Sequence, residues 1–292
     1  MAPTVCVYDD HRCTLGEGPI WVDGALVWVD VPAGRVHRRT PGGERQSIDL
    51  GQSVGCVVEE ESGGLIAGLR EGIARFSFEK GIEQWLSRDL AGEPDRRCND
   101  GAVGPGGRFW VGSMLNDQAR GTGRLHLLLE SGRLGVVRER LTIPNGLAWN
   151  EDGTVMYHID SPRRVIEMLR FDAGAGCVHE VIGVIQTPED LGYPDGMAID
   201  AEGMLWVAHW GGGCVSRWDP GRREMVGRFA VPAEHVTSCC FGGDDRSVLF
   251  MTTAAGQSEN GGAVFACEPG VRGARSYRLR GFDPKSSSGY GA

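Results

Sequence analysis

Short apolar runs, each opened by an acidic or glycine-rich turn, recur along the chain in the manner of strands joined by tight turns. The clearest copy is Tyr193-Pro194-Asp195-Gly196-Met197-Ala198-Ile199-Asp200-Ala201-Glu202-Gly203-Met204-Leu205-Trp206-Val207. In it a carboxylate, a glycine, an apolar strand, a turn and a second apolar strand follow one another. The second strand has counterparts at 24–29, 64–68, 107–111, 153–157 and 247–251. The six copies are spaced by roughly 40 to 50 residues, the period of propeller blades.

Each copy continues into a third strand-like run, at 35–38, 72–76, 124–128, 165–169, 214–218 and 263–266. A fourth follows at, for instance, 46–50, 178–182 and 225–229. Four antiparallel strands in each of six units predict an all-β chain, a six-bladed β-propeller with a central channel. No amphipathic helix interrupts the series, and no unit buries both of its faces alone. Residues 1–292 are therefore expected to form a single six-bladed β-propeller domain. A strand at about residues 4–8 has no blade of its own and is expected to complete the last one, while 283–292 is expected to fray.

Composition agrees with this picture. The 46 glycines are roughly double the usual share, which suits many tight turns. A net charge of −9, with no basic run longer than Arg163-Arg164 or Arg222-Arg223, argues against a nucleic-acid partner. The first residues lack a signal-peptide pattern and no apolar run is long enough for a membrane span, so a cytoplasmic protein without a membrane partner is expected. The nine cysteines show no Cys-x-x-Cys, and Cys56, Cys98, Cys214, Cys239, Cys240 and Cys267 sit within or beside apolar strand-like runs, so buried free thiols are expected there; adjacent Cys239 and Cys240 should face opposite sides of a strand.

The first strand of every blade lines the channel, so residues just before those strands gather at one mouth. Aligning the copies brings Glu17, Asp100 (with Asn99), Asn145 and Asp195 there, each beside a glycine. Ser53-Val54 and Thr237-Ser238 occupy the corresponding places of the other two copies. Taken singly, Asn-Gly and Asp-Gly are turn signals. Four at one register, including Glu17, which is not a turn residue, point to a site. Clustered carboxylates call for a cation, and an all-oxygen set favours Ca²⁺, Mg²⁺ or Mn²⁺ over a dedicated zinc site.

Other motifs carry less. Gly51-Gln52-Ser53-Val54-Gly55 fits the nucleophile-elbow pattern, but a strand rather than a helix is expected after it, which excludes a serine hydrolase. His126 and His179 are strand residues by pattern. His209, beside a glycine loop near the mouth, is assigned to packing.

Leu15-Gly16-Glu17-Gly18-Pro19, Arg97-Cys98-Asn99-Asp100-Gly101, Pro144-Asn145-Gly146-Leu147, Pro194-Asp195-Gly196-Met197 and Thr237-Ser238-Cys239-Cys240-Phe241-Gly242-Gly243 resemble, in order, the signature stretches of the gluconolactonase and regucalcin (senescence-marker-protein-like) family. The resemblance implies one divalent metal ion held by Glu17, Asn145 and Asp195, with Ca²⁺ favoured and Mg, Mn, Zn or Fe open. It implies that Arg97 and Asn99 face the substrate, a small-molecule sugar lactone hydrolysed to its aldonic acid. Asp195 is then general base or ligand only, and Asp100 orients its neighbours. Residues 115–123 depart from the family's lid loop, so the lactone is not identified. Two rivals are a phosphotriesterase or arylesterase on the same fold, and a non-catalytic propeller that binds calcium or a partner. The sequence gives no oligomeric state.

Overall fold

The computed structural model describes residues 3–281; the expected frayed tail at 283–292 lies outside the described residues. After β1 (Cys6–Asp9), the chain lays down its sheets in sequence order. The first is β2 (Gly16–Val22), β3 (Ala25–Asp30), β4 (Arg35–Arg39) and β5 (Arg45–Asp49). The second is β6 (Val54–Glu59), β7 (Leu65–Leu69), β8 (Ile73–Ser77) and β9 (Gly81–Ser87). The third is β10 (Arg96–Gly104), β11 (Arg108–Leu115), β12 (Gly123–Leu128) and β13 (Leu134–Leu141). The fourth is β14 (Pro144–Trp149), β15 (Val155–Asp160), β16 (Val165–Asp172) and β17 (Cys177–Gln186). The fifth is β18 (Tyr193–Ile199), β19 (Leu205–Trp210), β20 (Cys214–Asp219) and β21 (Glu224–Ala230). The sixth is β22 (Val236–Gly242), β23 (Val248–Thr253) and β24 (Val264–Cys267), completed at its outer edge by β1, with Cys6 opposite Ala266 and Val7 opposite Phe265. The architecture is a six-bladed β-propeller.

Burial follows strand position. Every residue of β3 and β14 is buried, because sheets cover both faces, whereas β5 and β21 alternate or lie exposed. The cores lie between blades: Leu26 and Trp28 of the first sheet pack with Phe250 and Val264 of the sixth, and Cys56 and Ile66 of the second with Cys98 and Phe109 of the third. Trp28, Trp110 and Trp206, one on each of three second strands, are fully buried. Truncating any of them to alanine would cost about 3–5 kcal/mol. The nine cysteines are free; five of the six expected in apolar strands are buried and Cys240 is half-buried, whereas Cys6 and Cys177 are exposed on the outermost strands β1 and β17. Cys239 packs between the fifth and sixth sheets and Cys240 between the sixth and first, on opposite faces of β22.

The innermost strands line a channel of about 840 Å³. At one end the segment after β24 crosses it. The N–H of Ala274 reaches Ile199 O (3.1 Å), that of Leu279 reaches Glu59 O (2.8 Å) and that of Arg280 reaches Gly107 O (2.9 Å). That end is strapped by main chain. No helix among the described residues is long and apolar enough to cross a membrane.

Candidate functional site

All six innermost strands break register near the open mouth. The irregularities fall between Glu17 and Ile20, Val54 and Cys56, Cys98 and Gly101, Asn145 and Leu147, Pro194 and Met197, and Val236 and Ser238. A bulge gives a strand an extra residue and re-aims the side chains beside it. Glu17 and Asn145 border their bulges, and Asn99, Asp100 and Asp195 lie within theirs.

The glycines beside these residues are therefore not turn residues. They lie inside strands, and two show why a side chain is excluded. A Cβ on Gly146 would stand 2.8 Å from Asp195 O, and one on Gly196 would stand 2.1 Å from Ser238 Oγ. Glycine lets the inner strands of neighbouring blades approach closely enough for their polar side chains to converge. In the sixth blade Thr237 acts structurally: its Oγ1 bonds Gly16 O and Thr252 Oγ1, tying that blade to the first. Ser53 immediately precedes β6, a strand and not a helix, as the rejection of a nucleophile elbow requires.

A hydrogen-bond chain runs along one side of the ring. Arg97 Nη1 donates to Cys98 O (2.9 Å) and Asn99 Oδ1 (2.7 Å). Asn99 Nδ2 donates to Pro144 O (3.0 Å) and Asn145 Oδ1 (2.7 Å), and Asn145 Nδ2 donates to Ser161 Oγ (2.7 Å). Both amide hydrogens of Asn99 are thereby committed, leaving a lone pair on Oδ1 for an incoming hydroxyl. Arg97 enters this chain through Nη1. Ser161, in a short 3-10 turn after β15, had no signal in the sequence.

The acids oppose this chain. Glu17 Oε2 accepts the N–H of Gly18 (3.0 Å), and Asp100 Oδ1 accepts that of Gly101 (2.8 Å). Asp195 is 6% exposed, and its buried Oδ1 has no hydrogen-bond partner. Burial, then repulsion from Asp100, pushes Glu17 up to about 8, the Gly18 N–H and Arg97 acting against it. Burial raises Asp100 to about 6. Burial, then Glu17 and Asp100, raises Asp195 well above the ordinary carboxylate range, against Arg97 and the Asn145 amide. Asp100 borders the channel and Glu17 is half-buried, while protein surrounds both, which is how a group can touch water and still be poorly solvated.

At neutral pH such a ring holds protons unless a positive charge replaces them. The donors fit a hard cation: two carboxylates, one amide oxygen, and an unpartnered buried oxygen on Asp195. His209 belongs to another network, fully buried with Nε2 2.6 Å from Ser216 Oγ, and takes no part. His126 is likewise a strand residue, 2.8 Å from Ser113 Oγ.

Comparison with known proteins gives this geometry a family. Residues 15–255 match the family model described as SMP-30/Gluconolactonase/LRE-like region. Regucalcin of Danio rerio is 35% identical over 94% of this chain and 98% of its own length. A pentonolactonase of Haloferax volcanii is 35% identical over 88% of this chain and 87% of its own. A solved luciferin-regenerating enzyme superposes with a TM-score of 0.88 at 27% identity, covering 95% of this chain and 99% of that one. Named relatives thus include lactonases alongside regucalcins. Since the family model spans most of its length, the chain belongs to the SMP-30/gluconolactonase/LRE-like family.

Proposed function

We propose that the chain hydrolyses a sugar lactone to its aldonic acid, using one divalent metal ion held by Glu17, Asn145 and Asp195. The observation that supports it most is the buried, unpartnered Oδ1 of Asp195 in a ring of raised acids. A protonated Asp195 is no base, so a cation that keeps it ionised is part of the reading. Bound there, a divalent ion would supply polarisation of the lactone carbonyl and a lowered pKa for a neighbouring water.

The chain's own groups do the rest. Asp195 accepts the proton of the attacking water on the carboxylate oxygen that does not hold the ion. As the water oxygen bonds to the carbonyl carbon, further N–H groups of Arg97 hold the negative charge growing on the carbonyl oxygen. Asn99 orients both neighbours and offers its remaining Oδ1 lone pair to a ring hydroxyl. The ring C–O bond then breaks, and the departing oxygen takes up the proton Asp195 holds. Asp100, tied to the Gly101 N–H, adds negative charge that keeps the cation in place.

The pentonolactonase among the relatives puts five-carbon aldonolactones first in a substrate panel, followed by six-carbon lactones, organophosphates and aryl esters. Acid release is measured with Ca²⁺, Mg²⁺, Mn²⁺, Zn²⁺ or Fe²⁺, after chelation, and with Asp195→Ala. The reading expects turnover of lactones that chelation and the substitution both abolish. Turnover surviving both overturns the mechanism; calcium binding with no turnover on any lactone favours a non-catalytic propeller.

A further inference from the structure

Away from the channel, at the seam where the ring closes, His11, Cys13 and His37 bring one ligand atom each to within 4.8 Å of one another. His11 and Cys13 lie on the passage from β1, the outer strand of the sixth sheet, to β2, the inner strand of the first. His37 is the middle residue of β4 in the first sheet. We propose that these three side chains form a second metal site, for a borderline first-row ion of the Zn²⁺ class, that staples the first blade to the last.

The side chains suit the task. Tetrahedral coordination with bonds of about 2.0–2.3 Å separates ligand atoms by about 3.4–3.6 Å, which modest side-chain rotation reaches from the present spacing. Cys13 is 1% exposed and His37 is 3% exposed, while His11 is open to solvent and provides the entry path. His37 Nδ1 lies 2.7 Å from Ser47 Oγ, whereas its buried Nε2 has no partner. The tautomer in which Nδ1–H donates to Ser47 leaves Nε2 a lone pair with nothing to bind. That is the arrangement in which a ligating histidine is fixed through its other nitrogen. The His37 ring is further held between Trp28, 5.3 Å away, and His11, 4.5 Å away.

The main chain is preorganised too. Asp9 Oδ1 accepts the His11 N–H (2.8 Å), Asp30 accepts those of Thr14 (2.9 Å) and Leu15 (3.1 Å), and Cys13 N–H bonds Gly262 O (3.0 Å). The same two aspartates place negative charge near Cys13 and His37, partly offset at His37 by Arg35. Burial keeps the Cys13 thiol protonated in the absence of a cation, raising it to about 12, and keeps His37 neutral, lowering it to about 4. A cation bound as thiolate would displace the thiol proton to solvent. Thiolate and imidazole select borderline ions, whereas the channel ring presents only oxygen, so the two sites differ in metal class.

The test is Co²⁺ and Zn²⁺ binding to the full chain. The wild type should show a thiolate-to-cobalt charge-transfer band and a melting temperature raised by Zn²⁺, and Glu17→Gln, which alters only the channel ring, should keep the band. Cys13→Ser should lose the band, while any thermal shift or proton release that comes from the channel ring stays. His11→Ala, at an exposed position that does not endanger folding, should weaken Co²⁺ binding by about ten-fold or more while circular dichroism stays unchanged. No charge-transfer band in the wild type overturns the site. So does a band that persists in Cys13→Ser, since the exposed Cys6 or Cys177 would then be its source.

Discussion

Asp195 and Asp200 lie five residues apart on one blade, 6% and 1% exposed, and in sequence each is an aspartate bordering an apolar run. Their surroundings are opposite. Asp200 Oδ1 accepts the N–H groups of Glu202 and Met204, both at 2.9 Å. Its Oδ2 accepts Trp206 Nε1 (2.8 Å) and the Nε and Nη2 of Arg217 (2.9 and 2.7 Å). Asp195 has a buried oxygen with no partner and two other acids close enough to raise it. Burial alone therefore does not separate a scaffold carboxylate from a functional one; satisfaction does. A fully bonded acid is a strut, and an unbonded one in a mouth waits for something positive.

Two substitutions break that comparison most directly. Asp195→Ala should lower lactone kcat/KM by about 10²–10⁴-fold, the range for a lost general base, with little loss of metal-free stability because it relieves a repelled acid. Asp200→Ala should do the reverse. Arg217 would lose its buried partner and keep only exposed Glu202, destabilising the fold by about 3–5 kcal/mol while turnover at low temperature persists. Denaturant melts and initial rates on both variants decide it. If Asp195→Ala unfolds the chain and Asp200→Ala abolishes turnover of folded protein, the division between strut and site is wrong.

The turns around Asp200 and the alternation beside them were legible in the sequence because each blade repeats them: apolar strands and acidic turns are local signals, and six copies reinforce one another. The convergence of Glu17, Asp100, Asn145 and Asp195 was legible from register for the same reason. The bulges were not, because a register shift depends on pairing with the neighbouring strand. For that reason Asn145-Gly146 and Asp195-Gly196 resemble turns in sequence although both lie inside strands. The double commitment of the Asn99 amide, to Pro144 O and Asn145, joins residues about 45 apart in sequence and leaves no local trace. His11, Cys13 and His37 meet only because β1 closes the ring, a contact between the first and last blades that no spacing rule contains.

A smaller effect sharpens the role of the basic side of the ring. Arg97 holds Asn99 through Nη1 and carries further N–H donors on its planar guanidinium. Arg97→Lys keeps the charge but not the planar donors, and should reduce kcat/KM by about ten-fold, the lower end for a lost charged hydrogen bond. If Arg97 only holds Asn99, Lys would show wild-type kcat/KM on every lactone in the panel. A split confined to KM would place the contact in substrate binding instead of in the charge that develops during reaction.

The pH dependence of the metal-free protein gives the gentlest test and separates Glu17 from an ordinary surface acid. Glu17 is raised to about 8 when folded, from an ordinary value of 4.5, so the folded state holds a proton that the unfolded chain has already released. The stability this contributes is fully present below the unfolded value and is lost as pH rises through the folded one. With chelator present, melting should therefore weaken between about pH 5 and pH 8, by at most about 1.4 kcal/mol per pH unit for one such group. Glu17→Gln has no proton to lose, so its curve should be flatter than the wild type across that window and cross above it on the alkaline side. Saturating divalent ion should flatten the wild-type slope, since binding holds the folded state in the ionised form, and change the slope of the variant much less. Parallel curves for the two proteins in chelator would mean that Glu17 is ionised in the folded state without a cation, and the contrast between the mouth acids and the Asp200 strut would then rest on Asp195 alone.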